Sequence, residues 1–278
     1  MLRQRVITGV AMASAFLLAI VFLPTPGLAL AFAIVIGLGC WEWSRLAGWS
    51  SIVARGLYVT ALMAAMVGLY LHCELGNSPD RDQVQPFLGL ACLWWSIALL
   101  WLKSYPASTV LWSTVAMRSL MGVLILVPAW LAAVFLLTLP QGGLLMVAMV
   151  IVVAAADIGA YFSGKAWGRH KLAPDVSPAK TWEGFWGGML CCFVLAIAAW
   201  YAMPVQLDHI GLVQVIAVVL TTAVASVVGD LIVSMVKRES GVKDSGSLLP
   251  GHGGVLDRLD SLSGAAPVFA LGLLLAGW

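Results

Sequence analysis

The sequence predicts an all-α, polytopic integral membrane protein with about nine transmembrane helices, its N-terminus in the cytoplasm and its C-terminus outside. Three observations carry that prediction. First, 62% of the 278 residues are hydrophobic and 10% charged, against about 25% charged in a soluble domain, too few polar groups to clothe a soluble globule. Second, nine mostly apolar stretches lie near 6–24, 28–46, 56–73, 87–103, 119–138, 143–162, 184–203, 210–234 and 261–278, each close to the ~20 residues that cross a bilayer as a helix. Third, if loops alternate sides, one side receives Arg3, Arg5, Arg45, Arg55, Lys103, Arg118, Lys165, Arg169, Lys171, Lys180, Lys237, Arg238, Lys243 and Arg258, and the other receives Arg81 alone. Cytoplasmic loops retain Lys and Arg, and a miscount of one span in the middle would scatter these cations over both faces.

The elements follow in chain order. The opening MLRQRV and its apolar run have the look of a signal peptide, but the run passes Pro24 into a second span without a convincing cleavage site, so it is kept as the first helix. Residues 1–150 hold about five spans with short polar connections and read as a scaffold. Residues 151–278 hold acids inside apolar runs and two charged, Gly/Pro-rich cytoplasmic loops near 163–183 and 235–260, and read as the catalytic region. Loops under about 40 residues do not form an independent nucleotide-binding domain, so any chemistry belongs at the membrane surface, on helix ends. Cys40, Cys73, Cys92, Cys191 and Cys192 form neither an even set nor a metal-ligand spacing and read as small hydrophobes. A net charge of +2 and the lack of any polar low-complexity tract exclude nucleic-acid binding and disorder.

The densest chemistry lies between Ser234 and Asp260, where Lys237, Arg238, Glu239, Lys243, Asp244, His252, Asp257, Arg258 and Asp260 surround Gly251, Gly253 and Gly254. Such glycines permit positive φ and close backbone approach, so their amides suit a phosphate. Asp257 and Asp260 share a helical face if the last helix begins near Asp257, and paired carboxylates there hold Mg²⁺ while leaving room for water and phosphate. A loop that merely fixed topology would need the cations but not the interleaved acids.

A second cluster runs from Asp157 to Gly184. Ser177-Pro178 reads as a helix start, with Ser177 as N-cap and Pro178 in the first turn; free amides and the dipole there attract phosphate, assisted by Lys180. A capped helix alone is common, and Lys165, Arg169 and Lys171 tilt the reading toward anion binding. Of three acids in or beside apolar runs, Asp230 precedes Ser234 by one turn and reaches the same pocket. Asp157 divides evenly between that pocket and a structural ion pair, and Glu42, between Trp41 and Trp43, reads as structural. His72 and His209 flank outer loops and take no role.

The stretch Ser234 to Asp260, with Lys237-Arg238, Lys243-Asp244, His252-Gly253-Gly254 and Asp257-Arg258-Leu259-Asp260 at these separations, resembles the C-terminal motif of the phosphatidate cytidylyltransferase (CDP-diacylglycerol synthase) family without a departure. Ser177 to Gly184 and Asp157 to Tyr161 also resemble that family. The resemblance implies a Mg²⁺-dependent reaction of CTP with phosphatidic acid at the cytoplasmic face of the inner membrane, giving CDP-diacylglycerol and pyrophosphate for phospholipid synthesis. On that basis Asp257 and Asp260 are expected to bind Mg²⁺, with Asp230 and Asp244 as further ligands or orienting groups. Lys237, Arg238, Lys243 and Arg258 would neutralise phosphates, Ser177 and Lys180 would close the other side, and Ser234, Gly253 and Gly254 would complete the substrate site. His252 is expected to orient or donate to a phosphate. The partners implied are CTP, phosphatidic acid and the bilayer, with no nucleic acid and with a homodimer left open. Competing readings are a cytidylyltransferase for another lipid phosphate, a CDP-alcohol phosphotransferase, whose Asp-Gly…Ala-Arg pattern is missing, and a secondary transporter using Asp157 and Asp230, whose midplane charge distribution is missing.

Overall fold

The computed structural model describes residues 2–76, 79–202 and 210–278; His209, noted above, lies outside them. The order is α1 (Leu2–Phe22), α2 (Thr25–Leu46), α3 (Ile52–His72), α4 (Arg81–Lys103), α5 (Thr109–Trp112), α6 (Val115–Thr138), α7 (Gly142–Trp167), β1 (Lys171–Ala173), β2 (Ser177–Thr181), α8 (Trp182–Ala202), α9 (Leu212–Glu239) and α10 (Leu256–Ala276). Eight of these, α2 to α4 and α6 to α10, are long and apolar enough to cross a membrane, and α1 adds a shorter apolar stretch, Ile7–Phe22. In an apolar medium a helix satisfies its own backbone, and several polar residues sit where the helices begin. Ser51, Asp80 and Thr114 cap α3, α4 and α6 by accepting the amides of Ala54, Asp82 and Met117.

Several helices overrun the apolar stretches that announce them. Hydrogen bonding continues past the last apolar residue, so α9 carries Lys237 and Arg238 in its final turn and α10 begins early enough to carry Asp257 and Asp260. One expectation is overturned. Ser177 does not cap a helix: Ser177–Thr181 is a strand, paired antiparallel with Lys171–Ala173, and α8 starts at Trp182. Its cap is Thr181, whose Oγ1 accepts the Gly184 amide at 3.1 Å. A proline fixes φ at a value that suits an edge strand as well as a first helical turn, and the partner strand at 171–173 decides between them.

The main core draws on both halves of the chain, joining Trp43, Ile125, Leu131 and Phe135 to Ile232, Val236, Leu256 and Phe269. Of its indoles, Trp43 donates to Arg118 O at 2.8 Å and Trp130 to Ala29 O at 3.1 Å, while the ring nitrogens of Trp94 and Trp95 are buried without a hydrogen-bond partner among the described residues. Helix association within a bilayer relies on close packing rather than on expulsion of water. At the α9–α10 crossing that packing is extreme: a methyl on Gly229 would lie 2.5 Å from Asp260 O, and one on Gly264 would collide with Ala225 O. The crossing sets Asp230 and Asp260, from different helices, side by side.

One end of the bundle gathers the polar elements. Thr8 on α1 donates to Pro250 O at 3.2 Å, Arg45 at the end of α2 donates to Ser245 O, and Arg118 at the start of α6 pairs with Glu239 at 3.7 Å. Ser240 and Arg118 both donate to Leu46 O, and Arg238 reaches Val176 O in the hairpin at 3.1 Å. Just beyond α4, burial first, and then the charges of Glu239 and Asp175, push the Tyr105 hydroxyl above its ordinary range. The opposite end holds an apolar cavity of about 310 Å³ among Leu145, Leu195, Val215, Phe269 and Trp278.

Candidate active site

Two ion pairs form the centre of the polar end. Lys237 Nζ lies 2.7 Å from Asp257 Oδ1, both side chains under a tenth exposed, and Lys180 Nζ lies 2.6 Å from Asp230 Oδ2. Asp257 is further fixed by the backbone: its Oδ2 accepts the Ser245 amide at 2.9 Å and the Gly254 amide at 2.8 Å. Asp230 Oδ1 also accepts the Ser234 hydroxyl at 3.1 Å. Asp260 accepts the Ser261 amide at 2.8 Å and, among the described residues, pairs with no cation. Asp230, Asp260 and Lys237 lie within electrostatic reach of one another, and Asp157 on α7 lies within reach of Lys180 and Asp230.

The loop from Ser240 to Val255 is shaped around this centre. Gly253 stands at φ +82, a conformation L side chains rarely adopt, and a methyl there would lie 2.6 Å from Asp257 Oδ2. The turn before it is closed by Leu249 N to Gly253 O and His252 N to Leu249 O, both at 2.9 Å. The residues singled out in the sequence therefore divide. Lys180, Asp230, Ser234, Lys237, Asp257 and Asp260 converge, with Gly253 and Gly254 beside Asp257. Lys243, Asp244 and Arg258 are exposed, Arg258 donating to His252 O at 3.1 Å. His252 turns its ring toward Gly9 of α1, 3.8 Å from where a methyl there would stand, rather than to the carboxylates. Arg238 is spent on the backbone oxygens of Val176 and Val242.

One residue the sequence reading set aside lies at the base of this loop. Glu42 is 4% exposed, and its carboxylate accepts the Ser245 hydroxyl at 2.8 Å, the Val255 amide at 3.0 Å and the Leu256 amide at 2.9 Å. It thereby caps α10, whose own N-cap, Val255, has no side chain able to do so. Arg45, three residues on at the same helix end, donates to Ser245 O, and nothing in the sequence around either residue signals that contact.

Residues 3–276 match the model of the Cytidylyltransferase family. The chain belongs to that family. A phosphatidate cytidylyltransferase of Pseudomonas aeruginosa is 42% identical over 278 residues, covering 100% of this chain and 99% of that protein. Another, from Haemophilus influenzae, is 42% identical over 284 residues, covering 97% and 98%. One from Mycobacterium bovis is 44% identical over 114 residues, covering 41% of this chain and 36% of that protein.

A cytidylyltransferase must accommodate nucleotide phosphates, yet the centre holds more carboxylates than cations, and both central cations are already paired. A divalent ion would redress that balance. Among the described residues no three His, Cys, Asp or Glu side chains converge enough to hold an ion unaided. Magnesium is commonly held by one or two carboxylates, with waters and substrate phosphates completing its shell. Asp260, whose carboxylate takes the Ser261 amide on one oxygen, would be the readiest donor; Asp230 would have to share oxygens already held by Ser234 and Lys180, as Asp257 would those held by Lys237 and two amides.

Proposed function

We propose that the protein is a phosphatidate cytidylyltransferase that joins CTP and phosphatidic acid into CDP-diacylglycerol, with release of pyrophosphate, at the cytoplasmic face of the membrane. The observation that carries this reading is the 42% identity over essentially the full length of both chains with the Pseudomonas enzyme of that name. The cytoplasmic placement rests on the Lys and Arg residues that share the bundle end with the site.

In the reaction a phosphatidate oxygen attacks the α-phosphorus of CTP, and the bond from that phosphorus to the bridging oxygen breaks, so the electron pair leaves with pyrophosphate. The lipid phosphate is its own nucleophile, and no covalent enzyme intermediate is needed. The protein supplies alignment and charge stabilisation. Lys237 is held rigid by Asp257 and offers its remaining N–H donors to a phosphate; Lys180, on the hairpin that also carries Ser177, offers a second from the facing side. Lys243 and Arg258, exposed on the same loop and helix start, would draw the nucleotide from water, and the Gly253 amide would be the backbone donor there, that of Gly254 being given to Asp257. Asp230 and Asp260 would hold Mg²⁺, with Asp244 near the mouth and Asp157 beside Asp230; the bound ion offsets phosphate charge.

The test is pyrophosphate release by purified protein in detergent, with Mg²⁺ and CTP, with and without phosphatidic acid. Release that needs all three, is abolished by a chelator and is lost in Asp260→Asn supports the reading. CTP consumption independent of phosphatidic acid, or no release in an active lipid environment, would overturn it.

A further inference from the structure

Ser245 is a junction between the first and second halves of the chain. Its hydroxyl donates to Glu42, its amide donates to Asp257, and its carbonyl accepts from Arg45. Each of these is direct, so the position of the α2 end is passed to Asp257 through one residue, and from Asp257 to the ammonium of Lys237. The same Glu42 carboxylate anchors the amides of Val255 and Leu256, the N-cap and first residue of α10, just before Asp257. The loop wraps closely around it: a methyl on Gly246 or Gly254 would collide with the Glu42 oxygens. Three donors from two segments point at one buried anion, and the anion comes from α2, which otherwise hydrogen-bonds this loop through Arg45.

We infer that Glu42 is a positioning residue for the transfer reaction: acting through Ser245, Val255 and Leu256, it sets where Asp257 and Lys237 stand relative to the phosphates. The inference rests on the function proposed above. Its chemistry demands a carboxylate, because a glutamine has a single acceptor oxygen for three donors and would set an NH₂ against an N–H. Misplacement of about 1 Å in such a constellation costs on the order of 100-fold in rate. The exposed Lys243 and Arg258 are untouched, so capture of the nucleotide persists and the loss falls on kcat.

The experiment compares full-length wild type with Glu42→Gln and Ser245→Ala in detergent, by steady-state kinetics in CTP, thermal unfolding, and hydrogen exchange of residues 244–257. Leu62→Ala, a buried position on α3, serves as a destabilised control remote from the site. The expected result for Glu42→Gln is a fall in kcat of at least about 10-fold with KM for CTP within about 2-fold, and faster exchange across 244–257. Ser245→Ala should show the same pattern, weaker, because Glu42 keeps its two amide partners. Leu62→Ala should lose Tm while keeping kcat. Wild-type kcat in Glu42→Gln at temperatures well below its own Tm would overturn the inference, as would unchanged exchange in that segment. A wild type that does not turn over CTP with phosphatidic acid would instead sink the proposed function, and exchange would still decide whether Glu42 holds the loop.

Discussion

Replacing Asp257 with Asn tests how the Lys237 ammonium is held, and the geometry sets the cost. Asp257 takes Lys237 Nζ on one oxygen at 2.7 Å and two backbone amides on the other at 2.9 and 2.8 Å. An asparagine has one oxygen: turned to the amides it sets its NH₂ against the ammonium, and turned to Lys237 it sets it against two N–H groups. Attraction across 2.7 Å is about 6 kcal/mol at an effective dielectric near 20, but desolvating both charges offsets much of it. Deleting the whole pair is therefore cheap, whereas deleting one partner strands the other and costs about 3–5 kcal/mol. The Lys237 side chain is 8% exposed, so a stranded ammonium has little access to water. Asp257→Asn should lose pyrophosphate release and unfold at a markedly lower temperature in detergent. Adding Lys237→Met should restore much of the Tm without restoring turnover. Equal Tm values for the single and double variants would refute the stranded charge. Near wild-type turnover in Asp257→Asn would refute the role of the pair at the substrate.

Lys180→Met removes the ion pair to Asp230, one of two polar ties between the hairpin and α9 among the described residues. It should lower kcat/KM for CTP by about 10- to 100-fold and expose residues 171–181 to limited proteolysis; unchanged values of both would refute the assignment. Orientation is open to cysteine labelling in sealed inverted vesicles, on a background lacking Cys92 and Cys191, the two native thiols that are not fully buried. Lys243→Cys should react with an impermeant thiol reagent at the exposed, formerly cytoplasmic face, and Arg81→Cys should not; equal reaction would overturn the alternation of loops.

The charged centre was legible because Asp230, Lys237, Asp257 and Asp260 are costly in an apolar chain, and such residues advertise themselves wherever they lie in sequence. The spans were legible for the converse reason, being long and almost free of charge. What could not be read was connection across the bundle. Glu42 meets donors at Ser245, Val255 and Leu256, and nothing near Glu42 in sequence hints at them; two flanking tryptophans make it look like an ordinary interfacial acid. Arg118 and Ser240 meet at Leu46 O in the same way. Ser177 failed for a local reason, since Ser-Pro suits both a strand edge and a first helical turn, and the deciding strand is formed by residues whose pairing leaves no periodic signal in three positions.

The capping of α10 by Glu42 also bears on how the chain is made. Glu42 precedes Ser245 by 203 residues and Leu256 by 214, and translation runs at about 5–20 residues per second. For about 10–40 s of synthesis at that pace, the carboxylate is inserted while the groups that will receive it do not yet exist. Its place at the end of α2, beside Arg45, keeps it at the watery margin during that interval, so the acid is hydrated first and enclosed last. Closure of the site then waits on α10, whose first amide Glu42 receives.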